Sequence, residues 1–510
     1  MYPGAHSQTR PDHPAAVMAS TGETLTYRQL DDRSIQLVRV LHAAGLGTGD
    51  HVAILMENQL AYFEVLWAAL RSGLYLTPIN RYLKPAEAAY ILNDCGAKAL
   101  VTSAALADTA AAAAADAPDC TTRLVAGGKT ETFDNYEAAL AAHSTTPLPV
   151  QPRGDIMLYS SGTTGQPKGI KRPLSGASVE EPLALMALLK MLFGFDGDSV
   201  YLSTAPLYHT AALGFCMATQ AIGATVVCLE HFDPEEALAA IPRYHVTCSQ
   251  WVPTMFVRML KAPAEIRDRY DLSSLKFAIH AAAPCPRPVK EQMLDWWGPI
   301  IHEYYGGTEG NGMTYASPPD WLAHPGTVGR AIHGTVHICD PDGHQQPTGE
   351  AGTVYFAQPT VPFEYHNDAE QTRSGQHPDH PTWSTLGDIG YLDNDGFLFL
   401  TDRKAFMIIS GGVNIYPQEI EDCLVGHDAV ADVAVIGVPD PDMGEAVKAI
   451  VQPAAGIDAT DDLAAALIAH CRAHLAGYKI PRSVDFEAEL PRLPTGKLYK
   501  KDLRARYWPD

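Results

Sequence analysis

Apolar runs alternate with helical periods from residue 25 onward, and this alternation restricts the fold more than any other feature of the chain. Leu25 to Gly45 reads as an amphipathic helix stopped by glycine, and Val52-Ala53-Ile54-Leu55-Met56 as a fully buried strand. Leu60 to Leu70 carries Phe63, Leu66, Trp67 and Leu70 at helical spacing and stops near Gly73. Strand candidates at Tyr75 to Pro78 and Ala99 to Thr102 flank a helix at Pro85 to Cys95. Continuous apolar strands separated by helices make a largely parallel sheet covered on both faces. The pattern returns after residue 155, with strands near Val200 to Leu202, Thr225 to Leu229 and Phe277 to Ala281.

Past about residue 325 the character changes to short β segments and hairpin turns, marked by Asp342-Gly343 and Asp395-Gly396. A compact tail follows from about Arg403: a helix at Pro417 to Leu424, with proline at its first position, and a buried strand at Val433 to Val438. The expected class is α/β. A large N-terminal part holds parallel-sheet α/β subdomains plus a β-rich subdomain, and a small α+β domain ends the chain. At 510 residues the length suits about three structural units.

Charge narrows the partners. Thirty-seven Lys and Arg against fifty-nine Asp and Glu give a net charge of −22 with no basic block, which disfavours nucleic acid or an anionic membrane as partner. The nine cysteines include no C-x-x-C pair, so neither a disulfide framework nor structural zinc is indicated, and a reducing cytosol fits better. Met1 to Asp12 has no apolar signal core, and the alanine run Ala110 to Ala115 reads as a short helix. The expectation is a cytoplasmic protein without a membrane span, monomeric or homodimeric.

One stretch carries phosphate chemistry. Ile156 to Tyr159 reads as a short buried strand, and Ser160-Ser161-Gly162-Thr163-Thr164-Gly165-Gln166-Pro167-Lys168-Gly169 follows it. Glycines let backbone N–H groups turn toward an anion, hydroxyls add donors, and Lys168 adds a point charge suited to β- and γ-phosphates. A flexible Gly/Ser/Thr linker is the plain alternative. It is not the P-loop, because Pro167 stands between Gln166 and Lys168. A second stretch, Glu303-Tyr304-Tyr305-Gly306-Gly307-Thr308-Glu309-Gly310, offers an aromatic face for a base, a hydroxyl for phosphate and a hard carboxylate oxygen for Mg²⁺. Composition alone allows a glycine-rich turn there as well.

The loop from Ser160 to Gly169 matches, almost letter for letter, the signature of the adenylate-forming superfamily of acyl-CoA synthetases, peptide-synthetase adenylation domains and luciferases, which the chain resembles along nearly its whole length. The resemblance implies adenine stacking by Tyr305, phosphate contact by Thr308 and magnesium binding by Glu309, with Glu303, Tyr304, Gly306 and Gly307 in the same segment. It implies that Ala281, Ala282, Ala283 and Pro284 border the adenine and acyl pocket, and that Asp388 and Arg403 hold the ribose. Lys497, in Pro494-Thr495-Gly496-Lys497, would bridge the substrate carboxylate and the α-phosphate; a cation there offsets the repulsion of two anions. His209, with Tyr208, falls at the acid pocket, and Trp251, Val252 and Met255 are lining candidates, although an apolar stripe is also what a core looks like. His377-Pro378-Asp379-His380 reads as a polar loop rather than a metal cluster.

The family hinge puts the main boundary at 402/403, with 1–402 as the AMP-binding part and 403–510 as a lid carrying Lys497. Ala405 stands at the hinge, where many relatives have Asp or Lys, and Gly411-Gly412 in the following loop resembles the wall of a pantetheine tunnel. The implied reaction consumes ATP with Mg²⁺ and a hydrophobic carboxylic acid, makes an acyl-adenylate, and passes the acyl group to coenzyme A. An amide synthetase giving it to an amine would share the ATP-site residues. A non-catalytic nucleotide binder should lack Lys497 or Glu309, and both are present.

Overall fold

The computed structural model describes residues 2–159, 167–403, 406–410, 413–492 and 498–508. The loop residues Ser160, Ser161, Gly162, Thr163, Thr164 and Gly165, together with Ala405, Gly411, Gly412 and Lys497, lie outside the described residues. The chain divides into two units. One comprises Met1–Gln250, Ala262–Ala278 and Pro362–Gln371, and the other Trp251–Lys261, Ile279–Val361 and Thr372–Asp510.

In the first unit the predicted alternation becomes a six-stranded sheet, in the order Asp134–Asn135, Thr122–Ala126, Ala97–Ser103, His51–Leu55, Tyr75–Pro78, Asp155–Ile156. Every pairing in it is parallel. Helices Pro85–Cys95 and Ala107–Ala115 cover one face, where Ala88, Leu92, Ala110 and Ala114 pack on Ala53, Leu55, Leu100 and Val125. The alanine run contributes because small side chains let that helix sit close to the sheet.

Helix Leu60–Leu70 is buried on almost every side and touches strands of both this sheet and a second one. That second group runs Pro14–Met18, Thr225–Cys228, Val200–Ser203, paired in parallel, and Val200–Ser203 continues in parallel register onto Cys248 to Gln250. Local signals set the boundaries. Thr26 and Gln29 form a reciprocal cap that starts helix Tyr27–Ala43, and Gly96, at φ 65°, ends helix Pro85–Cys95.

The run Ile156 to Tyr159 differs from expectation. It is two strands, not one. Asp155–Ile156 closes the six-stranded parallel sheet, while Leu158–Tyr159 turns into an antiparallel ladder with Gly169–Lys171 and then Glu364–Tyr365. The chain changes sheets at Met157, which is fully buried, so unbroken apolar character conceals the break.

In the second unit, Ile301–Gly306, Met313–Ala316 and Arg330–His333 pair antiparallel. A five-stranded antiparallel sheet contains Thr335–Cys339, Gly352–Ala357, Asp388–Leu392 and Leu398–Arg403, with Trp383–Ser384 on Gly352–Ala357. The tail builds its own sheet from Ile408–Ser410, Val413–Ile415, Val430–Asp440, Gly444–Pro453 and Ser483–Phe486, the last pairing parallel to Gly444–Pro453. Helices Pro417–Val425 and Asp461–His474 close its core around Ile420, Leu424, Val433, Ala449, Val451 and Leu467. His377 lies in a loop, as expected: its Nε2 bonds Gly343 O at 2.8 Å and its Nδ1 accepts the N–H groups of Asp379 and His380. No helix among the described residues is long and apolar enough to cross a membrane.

Candidate active site

Within the first unit, the antiparallel ladder fixes both ends of the glycine- and hydroxyl-rich loop, since Gly169 pairs with Tyr159 and Ile170 with Leu158. Tyr159 is anchored by its hydroxyl to Asp94 Oδ2 at 2.6 Å. Lys168, at the loop's outgoing end, donates to Gln371 Oε1 at 2.8 Å and stands 3.5 Å from Asp368 Oδ2, with both charged side chains partly in solvent. A cation that keeps part of its surface in water can exchange one oxygen partner for another.

Tyr208 and His209 lie at the start of helix Thr210–Ile222, their rings 4.1 Å apart. His209 Nε2, Tyr208 Oη and Tyr62 Oη are buried without a hydrogen-bond partner among the described residues. Burial pushes His209 down to about 3, so its ring is neutral at pH 7, and burial raises the phenols of Tyr208 and Tyr62. Unpartnered buried polar atoms are expensive unless a ligand or water meets them. Tyr62, inside an apolar helix, carried no signal in the sequence.

Within the second unit, strand Ile301–Gly306 delivers the Glu303 to Glu309 segment. Tyr305 Oη donates to Asp388 Oδ2 at 2.6 Å, bringing together two predicted nucleoside-binding residues that lie 83 positions apart. Asp388 is buried, and in its strand pair it stands in register with Arg403. Gly307 has no room for a side chain: a Cβ there would collide with Leu386 and stand 2.8 Å from Glu309 Oε2, so the Glu309 carboxylate lies against the Gly307 backbone. The Thr308 hydroxyl and the Glu309 carboxylate supply hard oxygen donors, which fit Mg²⁺ and not a soft metal. Ala282, in the small-residue loop, takes φ 77°, a left-handed conformation that costs a non-glycine residue energy and marks a constrained loop.

Glu303 turns inward. Lys290 Nζ donates to its Oε2 at 2.5 Å, and His280 Nε2 stands 3.4 Å from the same oxygen. Burial opposes ionisation of Glu303, but Lys290 and His280 outweigh it and hold the carboxyl at about 2. Lys290 also stands 4.9 Å over the Trp321 ring. Its part is to fix the strand that carries Tyr305. Sequence reasoning missed Lys290, although a signal exists: it shares the buried phase of helix Arg287–Trp297 with Met293, Leu294 and Trp297. Trp251 packs edge-on against Trp297 at 5.3 Å and beside Phe256, and Val252 and Met255 are buried with it.

The fold and these residues define a nucleotide-dependent enzyme of the adenylate-forming class. The sequence pattern of the AMP-binding enzyme family spans residues 5–366, and that of the AMP-binding enzyme C-terminal domain spans 419–497. The chain belongs to this family. It is 35% identical to a feruloyl-CoA synthase from an Amycolatopsis species, over 97% of this chain and 96% of that protein. Among solved structures it resembles an anthranilate CoA ligase in complex with anthranoyl-AMP, at TM-score 0.86 and 25% identity, covering 99% of this chain and 96% of that one. It also resembles an amide bond synthetase from Marinactinospora thermotolerans, at TM-score 0.81 and 26% identity, covering 99% of both chains.

Proposed function

We propose that the protein activates a hydrophobic carboxylic acid with ATP and transfers the acyl group to coenzyme A. The observation that best supports this reading is the 2.6 Å contact between Tyr305 and Asp388, two residues that the family resemblance assigns to the nucleoside, with Thr308 and Glu309 on the same segment as Tyr305. In the first half-reaction a carboxylate oxygen attacks the α-phosphorus of ATP, and the bond to pyrophosphate breaks. In the second, the thiol sulfur of coenzyme A attacks the acyl carbonyl, its proton passes to solvent, and AMP leaves with the electron pair of the C–O bond. Positioning and charge stabilisation carry most of this chemistry.

The residue roles follow. The loop Ser160 to Gly165 and Lys168 hold the β- and γ-phosphates, Thr308 contacts phosphate, Tyr305 stacks on adenine, and Asp388 with Arg403 holds the ribose. Glu309 would hold Mg²⁺, whose charge neutralises the phosphate oxygens. Lys497 bridges the two reacting anions, and Gly411 with Gly412 borders the pantetheine arm. The neutral His209 ring and the hydroxyls of Tyr208 and Tyr62 meet polar atoms of the acid or its water. A large domain, 1–402, and a lid, 403–510, belong to the same reading, which the family's C-terminal pattern at 419–497 supports. The cytoplasm is the proposed compartment. Likeness to an aryl-acid CoA ligase supports the acceptor, and likeness to an amide bond synthetase supports an amine as the second reading.

Acid-dependent pyrophosphate release over a panel of aryl and aliphatic acids, with coenzyme A or amines added in turn, tests both. Thioester formation is the expected result. Amide formation without thioester would favour the second reading, and no acid-dependent release would remove both. Ala405→Pro, which fixes φ near −65°, should slow thioester formation far more than adenylation if the hinge turns between them.

A further inference from the structure

At one end of the helix pair that covers the tail sheet, Cys423 of helix Pro417–Val425 meets His470 and His474 of helix Asp461–His474. One ligand atom of each lies within 4.8 Å of the others. The two histidines are four residues apart and so share a helix face, with ring centroids 4.4 Å apart. We infer that Cys423, His470 and His474 form a binding site for a zinc-type divalent cation, one that the adenylation chemistry does not use.

Several details fit a metal site better than a chance meeting of side chains. His470 Nε2 hydrogen-bonds Cys423 O at 3.2 Å, and His474 Nδ1 hydrogen-bonds His470 O at 2.8 Å. Each carbonyl takes a ring N–H, which leaves a lone pair on the other nitrogen; metal-ligating histidines are oriented in this way. The His427 ring stands 5.1 Å from that of His470, and its Nδ1 accepts the Ala429 N–H. Cys471, fully buried, places a second thiol in hydrogen-bond contact with Cys423.

The donor set selects the ion. Imidazole nitrogen with thiolate sulfur suits Zn²⁺ or Co²⁺ and not Mg²⁺ or Ca²⁺, so ATP's magnesium would not compete. A tetrahedral zinc, with bonds of about 2.0–2.3 Å, holds neighbouring donors about 3.3–3.8 Å apart, which small rotamer changes reach from this arrangement. On binding, the Cys423 S–H bond breaks, a sulfur–metal bond forms and the proton passes to buffer. The ion would tie the two helices of the tail together.

The test uses the full chain without a histidine tag, stripped with chelator and free of nucleotide. Titration with Co²⁺ should give a thiolate-to-cobalt charge-transfer band and tetrahedral visible bands saturating at one equivalent, and Zn²⁺ should displace them. Cys423→Ser should abolish the charge-transfer band. His474→Ala, at an exposed position in the last helical turn, leaves the core untouched and should weaken Co²⁺ binding at least tenfold. Zinc should raise the melting temperature of the wild type and not of His474→Ala, and magnesium should raise neither. Absence of the charge-transfer band in the wild type, or equal zinc responses in wild type and His474→Ala, would overturn the inference.

Discussion

Two lysines, each facing a carboxylate, show how differently one residue type can serve. Lys168 stands 3.5 Å from Asp368, with both side chains partly in solvent, and shares itself with Gln371. Lys290 has no exposed surface, contacts Glu303 at 2.5 Å and has Trp321 beneath it. An incoming phosphate can replace the partners of the first, because water already competes for them. Nothing can replace the partner of the second without leaving a charge buried and unpaired. The exchangeable lysine suits ligand binding, and the locked one holds the strand that presents Tyr305.

Removing the locked charge should have the largest effect. Lys290→Ala should destabilise the protein by about 3–5 kcal/mol, read by chemical denaturation, because Glu303 is left buried without its cation. The pair Lys290→Met with Glu303→Leu should recover most of that loss. A Lys290→Ala variant with unchanged stability and lost activity would put Lys290 in the exchangeable class and break the comparison.

Lys168→Ala should do the reverse. Stability should stay within about 0.5 kcal/mol of wild type. Acid-dependent ATP–pyrophosphate exchange should fall about 10²–10³-fold. A large drop in stability would mean that Lys168 is structural.

Tyr305→Phe sharpens the contrast from the ligand side. It deletes the hydroxyl that donates to Asp388 at 2.6 Å and keeps the ring. A loss of about 0.5–1.5 kcal/mol is expected. It should appear as a rise of up to about tenfold in the KM for ATP with little change in kcat, and an unchanged KM would detach the Tyr305–Asp388 pair from the nucleotide.

The smallest effect is on pH dependence. His302, in the locked region and hydrogen-bonded to Tyr315, is pushed down to about 4 by burial, then by Lys290 and His280. Its unfolded value is about 6.5. Between those two values the unfolded chain binds a proton that the folded chain does not, so stability is complete above about pH 6.5 and falls as pH drops toward 4. Glu303, held at about 2, adds loss in the same direction below about pH 4.5. Melting temperatures across this range should fall less steeply in His302→Asn than in wild type. Parallel slopes would show that His302 titrates alike in both states.

The sequence by itself determined the parallel α/β core, because apolar runs flanked by amphipathic periods have few other ways to be buried. Helices Leu60–Leu70 and Pro85–Cys95 and strand Tyr75–Pro78 stand where the pattern put them, since proline, glycine and periodicity act locally. The candidate site was legible as composition: short stretches of glycine, hydroxyl, carboxylate and lysine. Tertiary structure decided whatever depends on residues far apart in the chain. The sheet change at Met157 is invisible locally, because both halves of Ile156 to Tyr159 are equally apolar and only their partners differ. The inward turn of Glu303 needed Lys290 from another element, and the meeting of Cys423 with His470 needed two helices to dock. Burial and charge pairing are properties of the assembled neighbourhood, and a linear pattern encodes them only once the chain has folded.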